Sequence, residues 1–271
     1  MGRFNALELA DIPEPPSGGP KDAGKPCYAG EPVKDAQYFL DRGDRLFFRS
    51  VYERALEEYS RAVGLDPGSA PAWQGQVFSL IELGEYHEAG LWYANAAGVV
   101  GETPDLLALR ALAAARTGEF DRACGYSDSS LEKGGGALAY IVRGELFLYS
   151  RRNAGYCFEQ AFAVGGIEEW KAAVLVADCC LFADTDASAG MAMKFLSPVL
   201  SRHPEKGELQ LRMARTRLRL GDRRGAEMAL AACSTLMPDY TIPDELKKAV
   251  AARLLGAAVR KIAGSGTEQE L

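Results

Sequence analysis

The chain has 271 residues, 48% of them apolar and 25% charged, a balance that supports a real core in one large domain or two ordinary ones and excludes wholesale disorder. A net charge of -6 argues against nonspecific capture of nucleic acid by the molecule as a whole. With only two histidines, His87 and His203, and no long uncharged apolar run, metal-site, His-base and membrane-spanning readings lose most of their ground.

From the N-terminus, residues 1–34 read as a flexible leader. Pro13, Pro15, Pro16, Gly18, Gly19, Pro20, Gly24, Pro26, Gly30 and Pro32 are too dense for burial to offset the ordering entropy. Met1 to Asp11 lacks the apolar stretch of a secretory leader. The six cysteines form no Cys-x-x-Cys pair, and Cys179 and Cys180 sit in an apolar run as small core residues. These features predict a reducing, cytoplasmic setting.

From residue 35 onward the chain repeats itself. Tyr52, Tyr86 and Phe120 recur at intervals of 34, as do Ala55, Ala89 and Ala123, Gly84 and Gly118, Tyr59 and Tyr93, and Ala62 and Ala96. Small residues such as Gly43 and Ala55 let two antiparallel helices approach, Phe39, Tyr52 and Tyr59 fill the flanking space, and Pro67 stops the second helix. Each unit is thus a helical hairpin that must stack on its neighbour to bury both faces. A third unit keeps Gly118, Phe120 and Ala123 and ends at Gly134, Gly135 and Gly136. A fourth runs from Ala137 to Gly165, and a fifth from Ile167 to about His203 with a loop at Asp184 to Asp186. The sixth restores the pattern through Ala214, Leu218, Gly221, Ala226, Leu230, Cys233 and Pro238. An amphipathic helix over residues 243–263, with Leu246, Val250, Leu254, Ala257 and Ala258 at helical spacing, is expected to cap the last hairpin. Residues 264–271 form a polar, flexible tail.

This pattern resembles the tetratricopeptide repeat family. The resemblance implies an all-α, right-handed superhelical solenoid of about six hairpins over residues 35–242, with the first helix of each hairpin lining a concave groove. Carried onto this chain, the family's groove positions are Leu40, Asp44, Phe47 and Phe48 in the first unit, Gln74, Phe78 and Ile81 in the second, and Leu112 in the third. Ile141 and Tyr149 follow in the fourth, and Arg215 and Arg219 in the sixth. The competing reading is that Phe47, Phe48, Phe78 and Tyr149 simply pack between hairpins. One family subclass captures carboxylate termini with Lys and Asn; here Leu40, Asp44, Gly75, Asp105 and Leu109 stand in their place, and that role is set aside.

Residues 202–261 hold thirteen Lys and Arg against seven Asp and Glu, and Arg212, Arg215 and Arg219 share one helix face by spacing. Such an array suits an acidic segment of a partner; the alternative is a solvated face neutralised by Glu208, Asp222 and Glu227. The glycines at 134–136 have no Lys-Ser/Thr pair after them, and neither histidine belongs to a nucleophile motif. The expectation is a noncatalytic adaptor without metal or cofactor. Its partner would be a protein or peptide segment with apolar anchors and acidic flanks, with no nucleic acid or membrane engaged and self-association as a further option. A chaperone for a secreted or assembly-prone partner, or a regulatory subunit of an enzyme complex, are the alternatives.

Overall fold

The computed structural model describes residues 34–251, among which all regular structure is helical. The expected leader and tail lie outside these residues, as does the C-terminal part of the expected capping helix, of which residues 244–251 are helical. The chain divides into two compact units at Arg122/Ala123.

The first unit contains α1 (Ala36–Phe48), α2 (Tyr52–Leu65), α3 (Ala70–Glu82), α4 (Tyr86–Val100) and α5 (Pro104–Arg116). The Asp35 carboxylate caps α1 by accepting from the Tyr38 amide, and Thr103 caps α5 through the Leu106 amide, with Pro104 pre-set for the first turn. Pro71 does the same in α3, and the Trp73 indole N–H donates to the Pro67 carbonyl at 2.9 Å, tying that helix to the end of α2. Gly84 turns α3 into α4 at φ 79°, a left-handed conformation that explains why glycine recurs there at the repeat period. Tyr59 is the wedge of the unit. Its ring fills the space that a Cβ at Gly43 or Gly75 would need, so α1 and α3 both close onto it, and its hydroxyl donates to Asp44 at 2.9 Å. Full burial of Ala55, Ala62, Leu80 and Ala96 completes this core.

The second unit holds most of α6 (Phe120–Glu132), then α7 (Ala137–Tyr149), α8 (Gly155–Val164), α9 (Glu169–Phe182), α10 (Asp186–Arg202), α11 (Gly207–Arg219) and α12 (Arg223–Leu236). Phe158 repeats the part of Tyr59: it is fully buried against Gly144, where a Cβ would collide with its ring. α8 begins only at Gly155, with Ala154 as its cap, four residues after the left-handed turn at Arg151, whereas α2 and α4 begin two residues after the corresponding turns at Ser50 and Gly84. α9 is enclosed nearly all round, with 172–177 and both Cys179 and Cys180 buried, which accounts for its lack of a polar stripe. Thr185 and Ser188 form a reciprocal capping box at the start of α10, so the expected loop at 184–186 is the helix entry. In α12 the positions matching Leu56 and Val63 of α2 are Glu227 and Ser234, both exposed, beside the exposed Met228 and Leu236.

Candidate docking surface

In each unit the first helices of successive hairpins lie side by side, α1 on α3 on α5 and α7 on α9 on α11. The residues marked out by sequence fall into three groups on these helices. Leu40, Asp44, Gln74 and Phe78 are partly accessible in the first unit. The Gln74 amide reaches toward the Thr103 hydroxyl at 3.5 Å, and the Phe78 ring lies 4.7 Å from that of Phe47. Burial alone raises the Asp105 carboxyl above its ordinary value. In the second unit Tyr149, Arg215 and Arg219 remain partly accessible. The Tyr149 hydroxyl donates to Glu145 at 2.7 Å, and its ring stands edge-on to Phe182 at 6.4 Å.

A second group faces the interior. Ile81, Leu112 and Ile141 are each 1% exposed, and Phe47 and Phe48 are buried in an aromatic cluster with Tyr52 and Phe78. The physical reason is coverage: apolar side chains on the part of a first helix that meets the neighbouring hairpin are enclosed by it, where burial is favoured. For Phe47 and Phe48 the packing alternative is the one the structure adopts.

The arginine array resolves into unlike environments rather than one charged face. Arg212 is completely buried in α11 and grips Asp178 of α9 through Nε to both carboxylate oxygens, at 3.0 and 3.2 Å, and Nη2 to Oδ2 at 2.8 Å. Arg219 is neutralised by Asp184 at 2.7 Å and Asp186 at 2.6 Å. Arg215, between them, is half-buried. Sequence reasoning passed over Asp178, although a signal was present: it precedes Arg212 by one repeat period. The Glu82–Arg116 pair, 2.8 Å apart with the guanidinium 3% exposed, has the same separation in the first unit. Glu169 also pairs one period away, with His203 at 3.2 Å and with Arg202, which holds its carboxyl below the ordinary range.

Three interior groups have strongly displaced ionisation, and burial with the neighbouring Asp44 charge raises Tyr59 well above the ordinary phenol value. Burial and the Glu145 charge push the Cys180 thiol up to about 12, and burial with a 2.7 Å hydrogen bond to Glu102 pushes Tyr93 up to about 12. All three are neutral near pH 7 and sit in the packed interior. Among the described residues no group of three or more His, Cys, Asp or Glu side chains could hold a metal ion, and no helix is long and apolar enough to cross a membrane.

No family model matches the sequence. The chain is 34% identical over 59 residues to an uncharacterised protein of Methanocaldococcus jannaschii, a match that takes in 22% of this chain and 69% of that one. Among solved structures it is similar to a chain of the APC/C Cut9–Hcn1 hetero-tetramer, at 19% identity and a TM-score of 0.48. That match covers 79% of this chain and 43% of the other, so this chain spans less than half its length. It is also similar to a tetratricopeptide repeat protein of Parabacteroides merdae, at 14% identity and a TM-score of 0.45, covering 86% and 94% of the two chains. PilW, a type IV pilus biogenesis factor, matches at 15% identity and a TM-score of 0.44, covering 81% and 99%.

Proposed function

We propose that this chain, which belongs to the tetratricopeptide repeat family by its 34-residue register and stacked hairpins, is a noncatalytic adaptor that docks a segment of another protein on its first-helix surface. The observation that carries the reading is the row of half-open side chains on consecutive first helices of the first unit, Leu40 and Asp44 on α1 and Gln74 and Phe78 on α3. An apolar anchor of the partner gains by covering Leu40 and Phe78, while Asp44 and Gln74 offer oriented polar atoms beside them. In the second unit Tyr149 and Arg215 supply an aromatic edge and a cation. His87 is exposed and His203 is engaged with Glu169.

The test is a peptide-library selection against the chain, followed by affinity measurement on Gln74→Arg and Phe78→Ala variants whose helicity is checked by circular dichroism. Met228→Ala, on α12 and 69% exposed, is the control. Selected peptides that lose tenfold or more with the first two variants and nothing with the control support the reading. Equal affinity for all four proteins would refute it.

A further inference from the structure

The turns inside the hairpins of the second unit, residues 150–154 after α7, 183–185 after α9 and 220–222 after α11, make a surface distinct from the first-helix face. Two contacts join them into one edge. The Tyr149 and Phe182 rings meet edge-on at the ends of α7 and α9, and Arg219 at the end of α11 bridges to Asp184 and Asp186. Large apolar side chains stand open along this edge, Phe182 at 47% and Leu220 at 41%. Its acids are already engaged, Asp184 and Asp186 by Arg219 and Asp222 by Arg217 at 3.9 Å. By contrast, Arg151, Arg152, Arg223 and Arg224 form no ion pair among the described residues. Arg151 and Arg152 follow the C-terminus of α7, where the helix dipole favours a cation, and the Arg152 guanidinium lies 5.8 Å from the Phe147 ring. Arg223 and Arg224 instead open α12, where the dipole disfavours them, so neither pairing nor capping accounts for that pair.

The spacing of the two arginine pairs sets what can bind them. One pair sits at the turn after α7 and the other at the turn after α11, with Phe182 and the Asp184–Arg219 bridge between. Helices packed side by side lie about 8–10 Å apart, so the two steps from α7 through α9 to α11 separate the pairs by roughly 18 Å, the reach of about six residues of extended chain. We propose that this edge docks an extended acidic segment of another protein, with carboxylates about six residues apart and an aromatic or branched aliphatic residue between them. Each carboxylate meets one arginine pair through charge-assisted, bidentate hydrogen bonds, and the apolar residue covers Phe182 and Leu220. A flat anionic surface such as a lipid bilayer fits less well. It would bring its charge against Asp184 and Asp186, whose side chains are 78% and 84% exposed, whereas a single strand passes beside them.

The edge is independent of the first-helix surface, and the experiment keeps the two apart. Peptides selected from a random library against the full chain are each measured on the parent, Gln74→Arg, Arg152→Glu/Arg224→Glu and Phe182→Ser/Leu220→Ser, with helicity checked by circular dichroism. All the substituted edge residues are exposed in the parent, so the fold is retained. The expected result is a class of peptides that binds the parent and Gln74→Arg alike and loses about tenfold or more on either edge variant. Its members carry acids about six residues apart around an apolar residue, and their binding weakens as salt is raised. A synthetic member with its acids changed to Lys should not bind. Absence of any edge-dependent class would overturn the proposal, as would an edge-dependent class that is neutral, basic or without that spacing. Co-sedimentation of the chain with vesicles containing phosphatidylserine, lost on Arg152→Glu/Arg224→Glu while no edge-dependent peptide is found, would assign the edge to a membrane and overturn it as well. Peptides lost only on Gln74→Arg report on the first-helix surface and, as the sole class found, would count against this one.

Discussion

The Arg212–Asp178 pair yields the sharpest energetic prediction. Arg212→Met keeps much of the aliphatic volume in α11 but removes three hydrogen bonds and leaves a carboxylate whose side chain is 17% exposed without its cation. Breaking a buried pair from one side costs about 3–5 kcal/mol, because the remaining charge stays desolvated. At roughly 2–4 °C per kcal/mol for a unit of this kind, the midpoint of the second unit should fall by about 10 °C. Asp178→Leu should cost at least as much, since it strands a guanidinium of zero exposure. The double variant Asp178→Leu/Arg212→Met replaces the pair by apolar volume and should recover to within about 1 kcal/mol of the parent. Urea unfolding followed by circular dichroism measures all four proteins, and hydrogen exchange in α9 and α11 locates the change. Because stacked repeats unfold in parts, exchange is needed to show that α1–α4 are unaffected. A single substitution costing under about 1 kcal/mol, or a double variant as unstable as the sum of the singles, would refute the reasoning.

Three further outcomes follow from the packing and ionisation. Gly144→Ala drives a Cβ into the fully buried Phe158 ring and should destabilise the fourth hairpin by about 1–3 kcal/mol or more, read from the shift in urea midpoint. Gly84→Ala meets no neighbour within 4 Å, so its cost is the left-handed backbone alone, about 1 kcal/mol, and a much larger loss would contradict the geometry. Cys180 should resist a thiol-specific disulfide reagent at pH 8 until the second unit unfolds. With the folded thiol raised from 9.0 to about 12, the unfolded chain ionises first as pH rises, so stability is lost progressively from about pH 9 to about pH 12. Cys180→Ala should flatten that part of the stability–pH curve, and an unchanged slope would show that another group is responsible.

The hairpins were legible because their determinants are local and periodic. Gly43 with Tyr59, Gly144 with Phe158, and Pro67 between the first two hairpins are short-range statements that recur in the sequence. The arginine face was not legible in the same way. Spacing places Arg212, Arg215 and Arg219 on one side of α11, yet periodicity within a helix cannot say which part of that side the next hairpin covers. The missing information lay across repeats: Asp178 and Arg212, and Glu82 and Arg116, are opposite charges one period apart, and in both pairs the guanidinium is almost wholly enclosed. A slip of one residue in the stacking would strand both charges at several kcal/mol, whereas a slipped apolar contact loses only part of its burial. Such pairs therefore fix register more sharply than the leucines and alanines around them. The same comparison accounts for Arg219, whose acidic partners are exposed at 78% and 84%: a pair in water imposes little register, and its arginine belongs to the surface chemistry of the turns.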